Sequence, residues 1–333
     1  MGLNEREMIL EMLSEGKISQ EQANKLLAAL DKVEVDESTA DGEKVTHTCS
    51  KDGGCEEDEG FSLFENLKDA FGVALNSNHI HEFKREIKQT FITSLVDVEL
   101  GSRKGNIEIQ GWSRGYGYIE ETIKVKGIKN KEEAEKLAEK YRTLTVGKDF
   151  IQAKKEMKSK RIFISYKLFL PKANQYDVCV STVNGKVTIA GIVTKDCDLS
   201  LVNGKCDLSD VKGEDLELSM VNGKGIVSGE FKDIDCSTVN GKLEISDYLS
   251  SPGDIDISTV NGPIIIALPT PGLNVKVDLS AVNGRAKVEH PNLNIQSKNG
   301  VVITKNCTIV GEGKAHRFYD VSSVNGSLTL KEL

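Results

Sequence analysis

The feature that most constrains this chain is a tripeptide, Val-Asn-Gly, that recurs through its second half. Its asparagines are Asn184, Asn203, Asn222, Asn240, Asn261, Asn283 and Asn325, and a degraded copy, Lys-Asn-Gly, occupies 298–300. The first four steps between them are 19, 19, 18 and 21 residues. A fixed period of this size is typical of solenoids and hairpin arrays, whose repeats bury their apolar faces against one another. The repeat therefore predicts a stacked β architecture.

The residues around each asparagine alternate between apolar and polar. Four and six positions before it the residues are mostly apolar, as at Leu199, Leu218 and Ile257, and three and five positions before it they are mostly Ser, Asp or Glu. Successive side chains of a strand point to opposite faces, so one face of each repeat is apolar. Apolar residues resume three and five positions after the asparagine. Each repeat is predicted to be a strand, an Asn-Gly corner and a second strand.

Two architectures fit this pattern. Asn-Gly between alternating runs is a strong hairpin signal and would give an antiparallel β-hairpin meander. Alternatively, Asn-Gly turns the corner of a β-solenoid coil and equivalent strands stack in parallel. Val precedes Asn in seven of the eight copies; at an inner solenoid corner it would contact its equivalents, and the asparagine amides would form a ladder. We therefore predict a mainly β chain, a β-solenoid of about 20 residues per coil with a small N-terminal α-hairpin, and keep the meander as the alternative.

Residues 1–30 are predicted to form a short helical hairpin. Ser19 begins a capping box for the second helix. Two helices this short bury little apolar surface alone, so we expect them to self-associate or to bind a partner protein. The predicted contact face consists of Ile9, Met12, Leu13, Leu26 and Leu27. A helical cap packed on the solenoid is the alternative.

Two further segments separate this hairpin from the repeats. Residues 31–60 are acidic and almost without apolar side chains, which predicts a disordered linker. Residues 61–91 carry an apolar stripe at helical spacing followed by basic side chains, which predicts an amphipathic helix. The stripe consists of Phe61, Phe64, Leu67 and Phe71. Such a helix can lie on an anionic membrane surface or can cap the first coil of a solenoid.

The solenoid domain is predicted to span 95–333. Residues 95–112 resemble a first coil with a Gly105-Asn106 corner. An insertion at 113–175 interrupts the array; its pattern predicts a strand over 118–126, a helix over 131–141 and a strand over 161–170.

Net charge and cysteine content limit the ligands and the cellular compartments that we expect for this protein. The net charge of −8 argues against a general affinity for nucleic acid. Seven cysteines without framework spacing, and an N-terminus without the apolar stretch of a signal peptide, predict a reducing, cytoplasmic compartment. Membrane association and surface export are the alternatives. The Cys49 to Cys55 spacing is longer than that of a zinc knuckle, and we predict no metal and no cofactor.

Catalytic motifs are missing from the sequence: it has no P-loop, no Gly-x-Ser-x-Gly and no His-Glu-x-x-His. Its five histidines form no cluster, so we predict that the protein is not an enzyme. The alternative is a carbohydrate-active β-helix that uses outward carboxylates such as Asp256 and Asp278. Acids recur at that position of the repeat, which favours a solvating stripe.

Three motifs carry a family resemblance. Leu170-Pro171-Lys172 followed by the run from Asp177 to Lys186 resembles the bacterial "putative adhesin" family of YvlB-like and LiaX-like proteins, as does Ile109-Gln110-Gly111-Trp112. The stretch 11–23 resembles the SHOCT-like helical hairpin that is often fused to that family. The resemblance implies a β-solenoid without known catalytic residues and a link to cell-envelope stress. The expected function is a non-catalytic interaction scaffold; a peripheral membrane sensor using 61–91 is the alternative.

Overall fold

A computed structural model describes residues 79–153, 159–248, 252–269, 275–290, 294–298, 303–309 and 317–333. The chain divides into two units, 1–75 and 76–333, and every described residue belongs to the second. The hairpin predicted for 1–30, the linker at 31–60 and the stripe of 61–71 therefore lie outside the described residues. Within the second unit the prediction of a mainly β chain is confirmed.

The described residues form one helix and one 17-stranded sheet. In chain order the elements are β1 (Ile80–Gln89), β2 (Leu95–Lys104), β3 (Ile107–Trp112), β4 (Gly117–Lys126), α1 (Lys131–Lys140), β5 (Thr145–Val146), β6 (Phe150–Ala153), β7 (Ile162–Pro171), β8 (Gln175–Ala190), β9 (Val193–Asp247), β10 (Gly253–Asn261), β11 (Ile264–Leu268), β12 (Val275–Ala281), β13 (Arg285–Glu289), β14 (Asn294–Lys298), β15 (Ile303–Ile309), β16 (Arg317–Asn325) and β17 (Ser327–Glu332). The long run β9 passes without a break through three copies of Val-Asn-Gly.

Neighbouring copies of the repeat pair in parallel and in register. Asn184 of β8 lies opposite Asn203 of β9, and Asn240 of β9 lies opposite Asn261 of β10. A hairpin meander would instead require antiparallel pairing between consecutive runs. We call the parallel set of strands β2, β3, β6–β13, β16 and β17 the repeat stack, and each strand–corner–strand unit within it a coil.

The apolar positions of the repeat line the inside of the stack. Leu199, Leu218 and Ile257 are each no more than 1% exposed. Burying a Leu or Ile side chain contributes about 1.5–3 kcal/mol, so these inward rows supply much of the stability. The alternation read from the sequence therefore gives the correct inward register at these positions.

Glycine is required at the corners because the coils approach each other most closely there. A Cβ added to Gly204 would lie 1.9 Å from the carbonyl oxygen of Gly185, and one added to Gly223 would lie 1.8 Å from that of Gly204. No side chain fits at such a distance. Close approach of stacked backbones, as well as turn conformation, thus accounts for the repeated glycine.

The last coil of the chain is not the last coil of the stack. β16 pairs in parallel with β10 on one side and with β12 on the other, and β17 lies likewise between β11 and β13. The C-terminal coil is thus inserted between two coils that precede it in the sequence. Beyond β12 the order becomes antiparallel, since β15 pairs with β12 and β14 with β15. The segment before the degraded copy at 298–300 therefore leaves the parallel array.

The N-terminal end of the stack is interleaved in the same way. β2 pairs in parallel with both β6 and β8, and β3 with both β7 and β8, so the coil of 95–112 lies between a coil from the 113–175 segment and β8. In this coil Lys104 takes the place of the asparagine, opposite Asn184. The corner is therefore Lys104-Gly105, one residue earlier than the predicted Gly105-Asn106.

The sheet continues past β7 through two antiparallel strands, β4 and then β1. The helix predicted over 61–91 is wrong for its described part, because Ile80–Gln89 is a strand in which Phe83 and Ile87 pack against the core. α1 packs on β1 and β4 and buries Ala134 and Ala138. Its N-cap is Asn130, whose side chain accepts a hydrogen bond from the Glu132 backbone N–H.

A buried ion pair joins the inserted C-terminal coil to the coil of 230–247. Arg317, the first residue of β16, and Asp247 are both fully buried, with 2.7 Å between Nη2 and Oδ2. The guanidinium also donates to the carbonyl oxygens of Phe231 and Lys232, and the Tyr319 hydroxyl donates to the same Asp247 oxygen at 2.6 Å. The geometry satisfies both charges inside the stack, where an unpaired charge would be costly.

We expect Arg317→Met to destabilise the protein by about 3–5 kcal/mol, because it leaves the Asp247 carboxylate buried without its counter-charge. The double variant Arg317→Met/Asp247→Leu should lose less than Arg317→Met alone, since it removes both charges. Urea unfolding followed by circular dichroism measures the cycle. A double variant whose loss equals the sum of the two single losses would show that the two side chains are not coupled.

Candidate interaction surfaces

The asparagines form one hydrogen-bonded ladder along the corner of the stack. Each amide nitrogen donates to the side-chain oxygen of the next asparagine, at 3.3 Å from Asn203 to Asn184 and 2.9 Å from Asn222 to Asn203. The remaining rungs run from Asn240 to Asn222, from Asn261 to Asn240, from Asn325 to Asn261 and from Asn283 to Asn325, at 2.8–3.1 Å. Because the last coil is inserted, Asn325 is an interior rung and Asn283 is the terminal one.

The valine of the repeat points outward. Val183 is buried, but the valines before the other six asparagines are 37–42% exposed. They are Val202, Val221, Val239, Val260, Val282 and Val324. The expectation of an inner corner is therefore wrong: the inward side chain is the residue before the valine, as at Met220 and Thr259. Stacked β-branched side chains contact each other across strands even at an exposed position, which gives a physical reason for valine there.

This geometry changes what each asparagine contributes to stability. The ladder asparagines from Asn222 onward lie at the surface. Replacing one of them therefore removes one or two hydrogen bonds, each with a net value of roughly 0.5–1.5 kcal/mol.

We expect Asn222→Ala and Asn325→Ala to destabilise the protein by similar amounts, because each removes two rungs of the ladder. Asn283→Ala should cost about half as much, since it removes one. Thermal unfolding of the three variants measures the difference. A smaller effect for Asn325→Ala than for Asn283→Ala would contradict the inserted position of the last coil.

Two rows of carboxylates follow the opposite flank of the corner. The first row stands five positions before the corner residue of each coil and consists of Glu99, Asp198, Glu217, Asp235, Asp256, Asp320 and Asp278. The second row stands seven positions before it and consists of Asp97, Asp177, Asp196, Asp215, Asp233 and Asp254. Burial raises the pKa of Asp256, and the carboxylates of Asp320 and Asp235 in the adjacent coils raise that pKa further. The row is therefore a source of repulsion between coils.

We expect Asp256→Asn to stabilise the protein slightly at pH 7. A carboxyl whose pKa is raised by folding opposes folding above that raised pKa and ceases to do so below its ordinary pKa of 3.8. The gain in melting temperature should therefore shrink as the pH falls toward that value. Asp207→Asn is the matched control, because Asp207 lies 2.8 Å from the Lys205 ammonium and its loss should destabilise instead. Equal effects of the two changes at pH 7 would contradict the repulsive row.

An aromatic cluster occupies the outer face of β3, β4 and β7, where the repeat is interrupted. The rings of Trp112 and Phe169 are stacked with centroids 5.4 Å apart, and Tyr118 lies 6.2 Å from Phe169. Tyr116 meets Trp112 edge-on at 5.1 Å, and its carbonyl oxygen accepts a 2.7 Å hydrogen bond from the indole N–H. All four side chains are partly exposed.

Two cations border these rings. The Arg114 guanidinium lies 4.9 Å from the centroid of Trp112 and donates to the Tyr116 hydroxyl at 2.7 Å. The Lys88 ammonium lies 6.0 Å from the centroid of Tyr116. Both side chains belong to exposed residues. We call these two residues and the four aromatic ones the aromatic patch.

Sequence reasoning missed the aromatic patch. Phe163, Lys167 and Phe169 alternate with the buried residues of β7, which is the outward parity, and an aromatic residue at that parity was the available signal. What the sequence could not supply is the pairing of β7 with both β3 and β4, which brings Trp112, Tyr118 and Phe169 together.

Other predicted sites fall as follows. The contact face of Ile9, Met12, Leu13, Leu26 and Leu27, the stripe from Phe61 to Phe71, and Cys49 with Cys55 lie outside the described residues. Cys197, Cys206 and Cys236 are free and buried, and burial raises the pKa of each thiol. Such thiols are unreactive and act as small apolar side chains.

The described ranges lack two further features. No group of three or more His, Cys, Asp or Glu side chains there could hold a metal ion. None of the helices in the same ranges has the length and apolar character needed to cross a bilayer.

Comparison with known proteins gives one family match. Residues 4–34 match the SHOCT-like domain. The match covers the stretch 11–23, on which the resemblance to a SHOCT-like hairpin rests. No curated protein matches the chain.

Solved structures with low similarity cover most of the chain. A putative cell adhesion protein from Clostridium sporogenes is 10% identical over 77% of this chain and all of its own, with a TM-score of 0.32. A putative adhesin from Bacteroides fragilis is 13% identical over 75% of this chain and 97% of its own, with a TM-score of 0.36. A putative adhesin from Parabacteroides merdae is 12% identical over 77% of this chain and 97% of its own, with a TM-score of 0.30. Likeness at this level carries no conclusion about ligands or activity.

Proposed function

We propose that this protein is a non-catalytic interaction scaffold. Its SHOCT-like segment self-associates or docks on a partner protein, and its repeat stack presents a rigid, regular surface. In keeping with the family resemblance, the proposal places the scaffold in the response of a bacterium to cell-envelope stress.

The observation that carries the proposal is the strip of exposed valines beside the asparagine ladder. Six valines at 37–42% exposure, spaced by about 4.8 Å per strand, make a straight apolar edge about 24 Å long. Apolar surface arranged continuously in this way is typical of protein contact sites rather than of substrate clefts.

The buried ionisable groups support the same reading, because they serve packing. Arg317 and Asp247 are sealed inside the stack and bonded to each other. Glu121 is equally buried, 3.6 Å from the Arg142 guanidinium, and burial raises the pKa of its carboxyl. Because these three groups are fully buried, a substrate could reach none of them without displacing the strands that cover them.

The two alternative functions receive less support. A membrane-bound helix over 61–91 would need its basic end, but Lys84 and Arg85 lie on the strand β1. A carbohydrate-active β-helix would need Asp256 and Asp278 as a pair, but Asp320 lies between them in the row. Asp278 is also engaged by the Lys276 ammonium at 2.9 Å.

We expect the full chain carrying Leu13→Glu and Leu26→Glu to lose self-association or to lose its protein partner, because charges on the contact face oppose its burial. Light scattering of the purified protein measures its mass, and a pull-down from the source cell measures partner binding. Gln22→Glu, which adds a charge off the apolar stripe, is the control.

An unchanged mass together with an unchanged set of captured proteins would show that the segment does not dock. Circular dichroism of each variant confirms that the repeat stack has folded.

A further inference from the structure

The aromatic patch has the shape of a binding platform rather than of a core. Its four rings lie on the outward face of a sheet, whose inward face is already filled by Ile119, Leu168 and other buried residues. Packing of the core therefore does not require aromatic side chains here. Phe169 and Arg114 each lie against the Trp112 ring, so a ligand would pack on the parts of the four rings that remain exposed, while their polar edges stay hydrated.

Sugar rings match this kind of surface. A pyranose exposes a face of C–H groups that packs on an aromatic ring, and its hydroxyls need hydrogen-bond partners at the rim. The row of paired residues across four strands supplies both, with Lys88, Tyr118, Phe169 and Gln110 side by side from β1 to β3. The row is about 14 Å long at the usual strand spacing, which is long enough to hold several linked sugar rings.

The charges of the patch select among glycans. The neighbouring row holds Glu86, Glu120 and Glu108. Lysines engage two of them, Lys84 at 3.5 Å from Glu120 and Lys167 at 3.2 Å from Glu108, and Glu86 lies at the Tyr118 hydroxyl. Within the described part of the chain, Arg114 and Lys88 form no ion pair with a carboxylate. Arg114 and Lys88 are therefore the charges available to an anion beside Trp112 and Tyr116, while Glu86 adds a negative charge beside Tyr118.

We propose that the aromatic patch binds an acidic polysaccharide, with sugar rings packed on Trp112 and Phe169 and a uronate carboxylate held by Arg114 and Lys88. A planar guanidinium is suited to a carboxylate because it can donate two parallel hydrogen bonds. The proposal is independent of docking by the SHOCT-like segment, which involves a different part of the chain.

Single-stranded nucleic acid is the competing ligand, since bases also stack on aromatic side chains beside cations. Its phosphates would carry one charge per nucleotide past Glu86, Glu120 and Glu108, which lie in the adjoining row. A groove that tracks a polynucleotide is positive along its length. The mixed charge of this face therefore favours a chain with fewer charges, such as a polysaccharide in which a uronate alternates with a neutral sugar.

The chain carries its own reporter for the test, because Trp112 is its single tryptophan. Titrating the full-length protein with a hyaluronan oligosaccharide, in which glucuronate alternates with a neutral sugar, should change the tryptophan fluorescence to saturation. The same oligomer with its carboxyls methyl-esterified should bind the wild-type protein at least about tenfold more weakly. The unesterified oligomer should bind the variant Lys88→Gln/Arg114→Gln more weakly by a similar factor. Lys331→Gln, which removes an exposed charge far along the sequence, should leave the affinity unchanged.

A second pair of variants tests the stacking. Tyr118→Thr keeps a residue suited to a strand and should weaken binding, whereas Phe318→Thr, at a ring that is 45% exposed on β16, should not. Far-UV circular dichroism confirms that each variant is folded.

Three results would overturn the proposal. They are the absence of a saturable signal with the hyaluronan oligosaccharide, equal affinity for the esterified oligomer or for Lys88→Gln/Arg114→Gln, and tighter binding of an oligothymidylate than of the hyaluronan oligosaccharide. The last would identify the patch as a surface for single-stranded nucleic acid. Loss of self-association in the SHOCT-like variants would leave the titration unchanged, so the two proposals fail separately.

Discussion

The backbone contact at the glycine corners is the constraint on which the rest of the stack depends. Each glycine lies so close to the carbonyl of the glycine in the adjacent coil that even a methyl group would collide, as Gly204 shows against Gly185. Coils that meet this closely cannot slip by one residue, because any other side chain would then face the contact. The fixed register places asparagine on asparagine and valine on valine, and it carries the inward leucines and isoleucines into continuous rows.

Interleaving at both ends gives the stack an unusual dependence on distant parts of the chain. The coil of β16 and β17 separates two earlier coils, and the coil of β2 and β3 lies between two later ones. Neither end can close until residues far apart in sequence have met, which is expected to slow folding relative to sequential addition of coils. Arg317 begins the inserted coil and is bonded to Asp247 and to two carbonyl oxygens of the 230–247 coil, so its buried charge opposes insertion elsewhere.

The repeat made the inward rows predictable but not the order of the coils. Period and alternation were enough to place Leu218 inside and Ser219 on the outer face. The same parity already puts the residue before valine inside, so the inner-corner interpretation of Val221 conflicted with information that the sequence contained. The position of Asn325 in the ladder could not be predicted in that way. The repeats have equivalent patterns, so the sequence does not say which coil packs against which. The predicted helix includes Ile80–Gln89 as the basic segment after the apolar stripe of 61–71, but pairing with β4 identifies it as a strand.

In a stack of equivalent coils, the side chain at a given outward position is repeated in every coil and contacts its own kind in the coils on either side. Where that residue is asparagine, repetition produces a cohesive ladder; where it is aspartate, it accumulates repulsion, as the raised pKa of Asp256 shows. Neither row can be altered at one rung to suit a particular ligand without weakening its neighbours. Side chains chosen for one ligand are therefore best placed where the period fails. The aromatic patch lies at such a place: β4 and β7 come from the segment that interrupts the array, and Trp112 lies at the end of β3. In repeat proteins insertions gather on one face for the same reason, since the regular coils supply rigidity and the irregular segment is free to vary.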